Sequence, residues 1–143
     1  MGEIKTARAL QVLARSLGRL GRERARAGEI TPQQAEALQL IADRGAISTS
    51  SLADVLGIDP STASRNLGGL ERRGLIVRRR GADDGRQTDV RLTPRGKRTA
   101  DTVSVEWATA CGLLLDRLPR AERQRIAEAI EALARALDGD TAQ

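Results

Sequence analysis

The chain has 143 residues with no His, no Phe, no Tyr, one Trp and one Cys. That length fits one domain with a sizeable core, necessarily aliphatic here, and the missing His and single Cys exclude a His-activated nucleophile and a His- or Cys-rich zinc site. The 24 Lys and Arg against 19 Asp and Glu give a net charge of +5, placed unevenly: residues 65–98 hold 11 basic and 4 acidic side chains, a local +7 that leaves −2 elsewhere.

Leu10, Leu13, Leu17 and Leu20 recur at i, i+3, i+7 and i+10, so the stretch from about Ile4 to Arg26 reads as a long amphipathic helix ended by Gly28. Thr31-Pro32-Gln33-Gln34 then supplies an N-cap, an N1 proline and the N3 partner of a capping box. The helix it opens turns Leu38 and Ile41 inward and stops at Gly45. Ile47 suits a short strand. Ser48 to Leu56 suits a short helix with Leu52, Val55 and Leu56 on its apolar side, stopped by Gly57. Asp59-Pro60 repeats the cap-plus-proline signal for a helix running to about Arg73 and stopping at Gly74. Its inward row is Ala63, Leu67 and Leu70, and 100° per residue places Ser61, Arg65, Gly68 and Arg72 opposite, flanked by Thr62, Ser64 and Gly69.

Leu75–Arg80 and Thr88–Thr93 are strand-like runs separated by Gly81-Ala82-Asp83-Asp84-Gly85, the pattern of a hairpin. Thr93-Pro94 starts another long helix whose stripe is Val103, Trp107, Cys111 and Leu114, ending near Leu118-Pro119. A last helix from about Pro119 to Leu137 carries Ile126, Ile130, Leu133 and Leu137, with Asp138-Gly139-Asp140 expected to fray.

Two short helices joined across Gly57-Ile58, the second polar on its outer side, followed at once by a basic hairpin, describe a winged helix-turn-helix. A major groove about 12 Å wide accepts such a helix, whose first half meets the base edges. Ser61, Thr62, Ser64 and Arg65 are the candidate readers, and the helix N-terminus itself can approach a phosphate. Gly68 and Gly69 each cost roughly 1 kcal/mol relative to Ala, and two readings stay open: close backbone approach to the duplex, or simple tolerance. Arg86 is the candidate wing-tip residue for the minor groove, steadied by a bidentate pair with Asp84. Arg78, Arg79 and Arg80, together with Ser48, Arg72 and Arg73, are candidates for phosphate contacts, which supply affinity without sequence information.

The run Ser51-Leu52-Ala53, Leu56-Gly57-Ile58, Ser61-Thr62-Ala63-Ser64-Arg65, Leu70-Glu71, Gly74-Leu75-Ile76-Val77-Arg78, Asp84-Gly85-Arg86 and Val90-Arg91-Leu92-Thr93-Pro94-Arg95-Gly96 resembles the MarR family of bacterial transcriptional regulators. Each piece is weak alone, but seven in one order over residues 48–96 form a specific pattern. The resemblance implies a mainly α fold with a small β-hairpin: a winged helix-turn-helix region, 31–97, between dimerisation helices at 1–30 and 98–138 of a single 1–143 domain. It implies a homodimer on double-stranded DNA, acting as a cytoplasmic repressor at a pseudo-palindromic operator. The terminal stripes agree independently, because a chain this short has little with which to cover Leu10, Leu13, Leu17, Leu20, Ile126, Ile130, Leu133 and Leu137. Their packing within one chain is the alternative.

The resemblance also implies release by a small aromatic or phenolic ligand, or by oxidation of Cys. With Trp107 as the only aromatic, a pocket here must combine aliphatic groups, Trp107 and Arg, which favours an anionic or aromatic effector. Cys111 lies one turn beyond Trp107 on an apolar stripe, where a structural Cys is usually inert, and the reactive Cys of redox-sensing relatives lies near the N-terminus, where this chain has none. No cofactor and no metal are expected, and an enzyme working through carboxylates or Lys is a remote alternative. No stretch approaches 18 apolar residues, no secretory signal opens the chain and one Cys forms no internal disulfide, so no membrane is expected and the cytoplasm is the expected location. A constitutive or nucleoid-like DNA binder without effector, and a redox-responsive regulator using Cys111, remain the alternatives.

Overall fold

The computed structural model describes residues 1–80 and 88–141. Among these the order is α1 (Gly2–Ala27), α2 (Pro32–Arg44), β1 (Ile47–Ser48), α3 (Thr49–Leu56), α4 (Pro60–Arg72), β2 (Ile76–Arg80), β3 (Thr88–Leu92), α5 (Pro94–Leu115) and α6 (Arg120–Thr141). The fold is thus mainly helical with a small antiparallel sheet, and the chain divides into two compact units, Met1–Trp107 and Ala108–Gln143.

Local chemistry starts these helices where the sequence says it should. Thr31 Oγ1 accepts from the Gln34 N–H at 3.2 Å while Gln34 Oε1 accepts from the Thr31 N–H at 3.1 Å, a complete capping box ahead of Pro32. Ser48 and Asp59 cap α3 and α4 without the reciprocal bond, their side chains accepting from the Ser51 and Thr62 N–H groups. Each such cap contributes about 1 kcal/mol. Gly57 ends α3 in the left-handed region (φ 64°), where its own N–H and that of Ile58 return to Asp54 and Ala53, so the chain turns sharply into α4.

The three strands lie in the order β1-β3-β2, all antiparallel. The register pairs Ile47 with Val90, Ile76 with Leu92 and Arg78 with Val90, so Ile47, Ile76, Arg78, Val90 and Leu92 share one face. Ile47, Ile76 and Val90 on that face are buried with Leu38 and Ile41 of α2, Leu52 of α3, Leu67 and Leu70 of α4, Leu75, and Val103 of α5. This aliphatic core fixes the orientation of α4 on the body.

In the second unit, Arg123 holds the corner between helices. Its Nε donates to the Leu118 carbonyl at 3.1 Å, and its two terminal nitrogens donate to the Asp116 carbonyl and carboxylate, each at 3.0 Å. The expectation of a frayed Asp138-Gly139-Asp140 differs from the structure, in which α6 continues to Thr141. Gly139 lowers helix propensity by about 1 kcal/mol, which is less than a proline would cost and does not by itself stop a helix already propagating.

Candidate nucleic-acid interface

On α4 the two sides separate cleanly. Ala63, Leu67 and Leu70 are fully buried, whereas Ser61, Ser64, Arg65 and Arg72 are exposed and Thr62 is half-buried. The first turn is organised by Asp59. Its Oδ1 accepts from the Thr62 N–H at 3.0 Å and from the Ser61 hydroxyl, and its Oδ2 accepts from the Thr62 hydroxyl at 2.6 Å. These bonds, from the Ser61 hydroxyl first, then the Thr62 hydroxyl and the Thr62 N–H, hold the Asp59 carboxyl well below the usual carboxylate range despite its full exposure. A depressed value in the folded state means that the capped, ionised form supports folding above the ordinary carboxylate pKa and loses that contribution as the medium is acidified.

Farther along α4, Ser64 Oγ accepts from Arg78 Nη1 at 3.5 Å, and Arg78 also reaches Glu71, with Nη2 3.4 Å from Oε1. The strand register explains this: Arg78 lies on the core-side face of β2, next to α4, whereas Arg79 lies on the other face, opposite Asp89. Arg78 therefore braces the wing against α4. Arg79 and Arg80 are exposed and carry the strand's outward charge. Gly69 also has a packing role, since a Cβ there would sit 2.7 Å from Gln34 Nε2, in the first turn of α2. Among the described residues, a Cβ on Gly68 would meet only the ends of Arg72 and Arg78, at 3.4 and 3.7 Å.

Ser48 Oγ accepts from the Ser51 N–H at 3.1 Å and bonds to Ser51 Oγ at 2.9 Å, so it works as the cap of α3. Arg73 is half-buried and donates to the Glu29 carbonyl, while its neighbour Arg72 is exposed. Asp84 and Arg86, expected at the wing tip, lie outside the described residues.

Arg24 is the residue that sequence reasoning missed. It is 8% exposed, pairs with Glu36 and stacks its guanidinium 4.5 Å from the centre of the Trp107 ring, while its Nε is buried without a hydrogen-bond partner among the described residues. A cavity of about 410 Å³ opens beside it, lined by Leu17, Arg24, Pro32, Glu36 and Trp107 among others. The signal was present: Arg24 follows Leu17 by seven residues and Leu20 by four, a charge on an apolar stripe. Cys111 is half-buried. Of the terminal stripes, Leu20 and Ile126 are half-buried, while Leu10, Leu13, Leu17, Ile130, Leu133 and Leu137 are exposed in the single chain.

Comparison with known proteins gives one pattern. The family model described as "MarR family" matches residues 30–88. An HTH-type transcriptional regulator of Bacillus subtilis, YdgJ, itself described as uncharacterized, is 32% identical over 106 residues, and the matched stretch spans 74% of this chain and 63% of that protein's length. The apo form of MarR from E. coli superimposes with a TM-score of 0.80 at 22% identity, covering 89% of this chain and 94% of that one. A mutant MepR of S. aureus bound to an oligodeoxyribonucleotide superimposes with a TM-score of 0.64 at 19% identity, covering 92% and 97%.

Proposed function

Because this chain belongs to the MarR family of transcriptional regulators, we propose that it is a sequence-specific dimeric repressor that places α4 in the major groove of a pseudo-palindromic operator and is released by a small anionic or aromatic ligand. The observation that carries the reading is the split of α4. A helix whose inner row is sealed into an aliphatic core, and whose outer side offers Ser61, Ser64, Arg65 and Arg72, is held rigidly with its hydrogen-bonding side chains outward. Arg79 and Arg80 on β2 add positive charge close by in sequence, which suits phosphate contacts. The oligodeoxyribonucleotide bound by MepR, a protein of the same fold, supports the same reading.

A dimer is supported by Leu10 and Leu13 on α1 and by Ile130 and Leu133 on α6, each about half exposed in the single chain. Two copies related by a two-fold axis set their α4 helices about 34 Å apart, one helical turn of duplex. The ligand reading rests on the cavity beside Arg24 and Trp107: a guanidinium next to an aromatic ring suits a planar anion that would share Arg24 with Glu36.

The test is a pair of titrations at fixed salt, one with a duplex selected from a random pool and one with a scrambled duplex of equal length. Specific regulators favour the former by a factor of at least about 1,000. Equal affinities would exclude sequence-specific regulation and leave a constitutive, nucleoid-like binder. Trp107 emission, the chain's only indole signal, reports ligand entry in the same cuvette.

A further inference from the structure

The hydrogen bonds at the start of α4 fix more than the helix end. A hydroxyl has one hydrogen to donate and two lone pairs with which to accept. The Ser61 hydroxyl spends its hydrogen on Asp59 Oδ1, and the Thr62 hydroxyl spends its own on Asp59 Oδ2. An ionised carboxylate only accepts, so the direction of both bonds is settled. What Ser61 and Thr62 then offer to anything approaching α4 is lone pairs alone.

This polarity has a consequence for a duplex. Phosphate oxygens carry no hydrogen, so neither hydroxyl can bond to the backbone while Asp59 holds it. In the major groove the donors are the N6 amino group of adenine and the N4 amino group of cytosine, whereas guanine O6 and N7 and thymine O4 accept. We propose that Asp59 is a specificity-determining positioning residue: by taking the hydrogens of Ser61 and Thr62 it makes them acceptor-only readers that select an amino base, adenine or cytosine, over a keto base, guanine or thymine, on the strand they face. Ser64 is set the other way, because its Oγ accepts from Arg78 and keeps its hydrogen available for a base acceptor. The inference rests on α4 being the DNA-reading helix, and it assigns a chemical code to the first turn of that helix.

Selection from a random duplex pool, read by sequencing, tests it on the full-length protein. Ser61→Ala locates the base that Ser61 reads, as the position where discrimination is lost. At that position the parent protein prefers A or C over G or T by about fivefold, the worth of one ordinary hydrogen bond. Asp59→Gly removes the carboxylate while keeping a tolerated N-cap residue, frees both hydroxyl hydrogens, and lowers the preference to less than about twofold. Asp59→Asn guards against a folding defect: it keeps the oxygen that caps Thr62 but puts an NH2 donor beside Thr62 Oγ1, so relaxation is confined to the base that Thr62 meets.

A parent protein that selects a keto base at the Ser61 position overturns the proposal, as does an Asp59→Gly variant with the parent's preferences or a Ser61→Ala variant that shifts no position. Each of those results leaves DNA reading by α4 intact. If the parent enriches no sequence at all, the underlying functional reading fails as well, and the two failures are distinguished by whether any motif emerges.

Discussion

Gly96 shows how a single hydrogen atom can be the only side chain a site admits. A Cβ built there would lie 1.8 Å from the Leu75 carbonyl oxygen and 2.9 Å from the carbonyl carbon, main-chain atoms that cannot swing aside. The same corner is tied by Thr93: its Oγ1 donates to the Gly74 carbonyl at 2.6 Å, its N–H donates to the Leu75 carbonyl at 3.0 Å, and its Oγ1 accepts from the Gly96 N–H at 3.0 Å. The start of α5 is thereby pinned to the junction of α4 and β2, and the wing depends on that junction. Gly96→Ala is expected to cost about 3 kcal/mol, the upper end for overpacking, read as a lowered urea midpoint. Gly112→Ala, with open space around its Cβ, is the control and should stabilise by up to about 1 kcal/mol. If the two substitutions proved equivalent, the close approach at Gly96 would not exist. In the sequence Gly96 is legible only as part of a resemblance, because the atom that excludes a side chain lies 21 positions earlier and comes near only through the fold.

At the scale of elements, what was legible was what neighbouring residues decide. The caps at Thr31 and Asp59, the prolines after them, and the inward row Ala63, Leu67 and Leu70 all depend on spacings of a few residues. What was not legible needs two elements at once: Arg78 reaching from β2 to Glu71 and Ser64 of α4, Arg73 reaching the Glu29 carbonyl, and Arg24 stacked on Trp107. The paired glycines of α4 illustrate the difference. Both looked alike in sequence, yet a Cβ on Gly69 would press to 2.7 Å on the amide of Gln34, whose oxygen is held in the capping box of α2, while one on Gly68 would meet, among the described residues, only arginine ends at 3.4 and 3.7 Å. Gly68→Ala should therefore raise stability by about 0.5–1 kcal/mol through helix propensity. If α4 lies in the groove with its backbone close to the duplex, the same change weakens DNA binding. A variant that is stabler and binds with the parent affinity shows that Gly68 is simply tolerated.

For the whole molecule, the +7 of residues 65–98 and the exposed leucines of the terminal helices bear on one quantity, the number of phosphates met at once. Binding of basic side chains to duplex DNA releases counterions, and the slope of log affinity against log salt is about −0.9 for each phosphate neutralised. The proposed dimer meets two half-sites, so its slope should be about twice that of a single protomer. Leu13→Glu on α1 or Leu133→Glu on α6 places a charge where a leucine is about half exposed in the single chain, so each helix should still form while a dimer interface built on it does not. Sedimentation should then give half the parent mass, and operator affinity should fall by about a hundredfold or more, because the second half-site is no longer held at high effective concentration. The salt slope separates this outcome from a general loss of affinity. Halved, it means that one of two half-sites has been given up. Unchanged slope with unchanged mass would mean that Leu13 and Leu133 do not build the interface on which DNA binding depends.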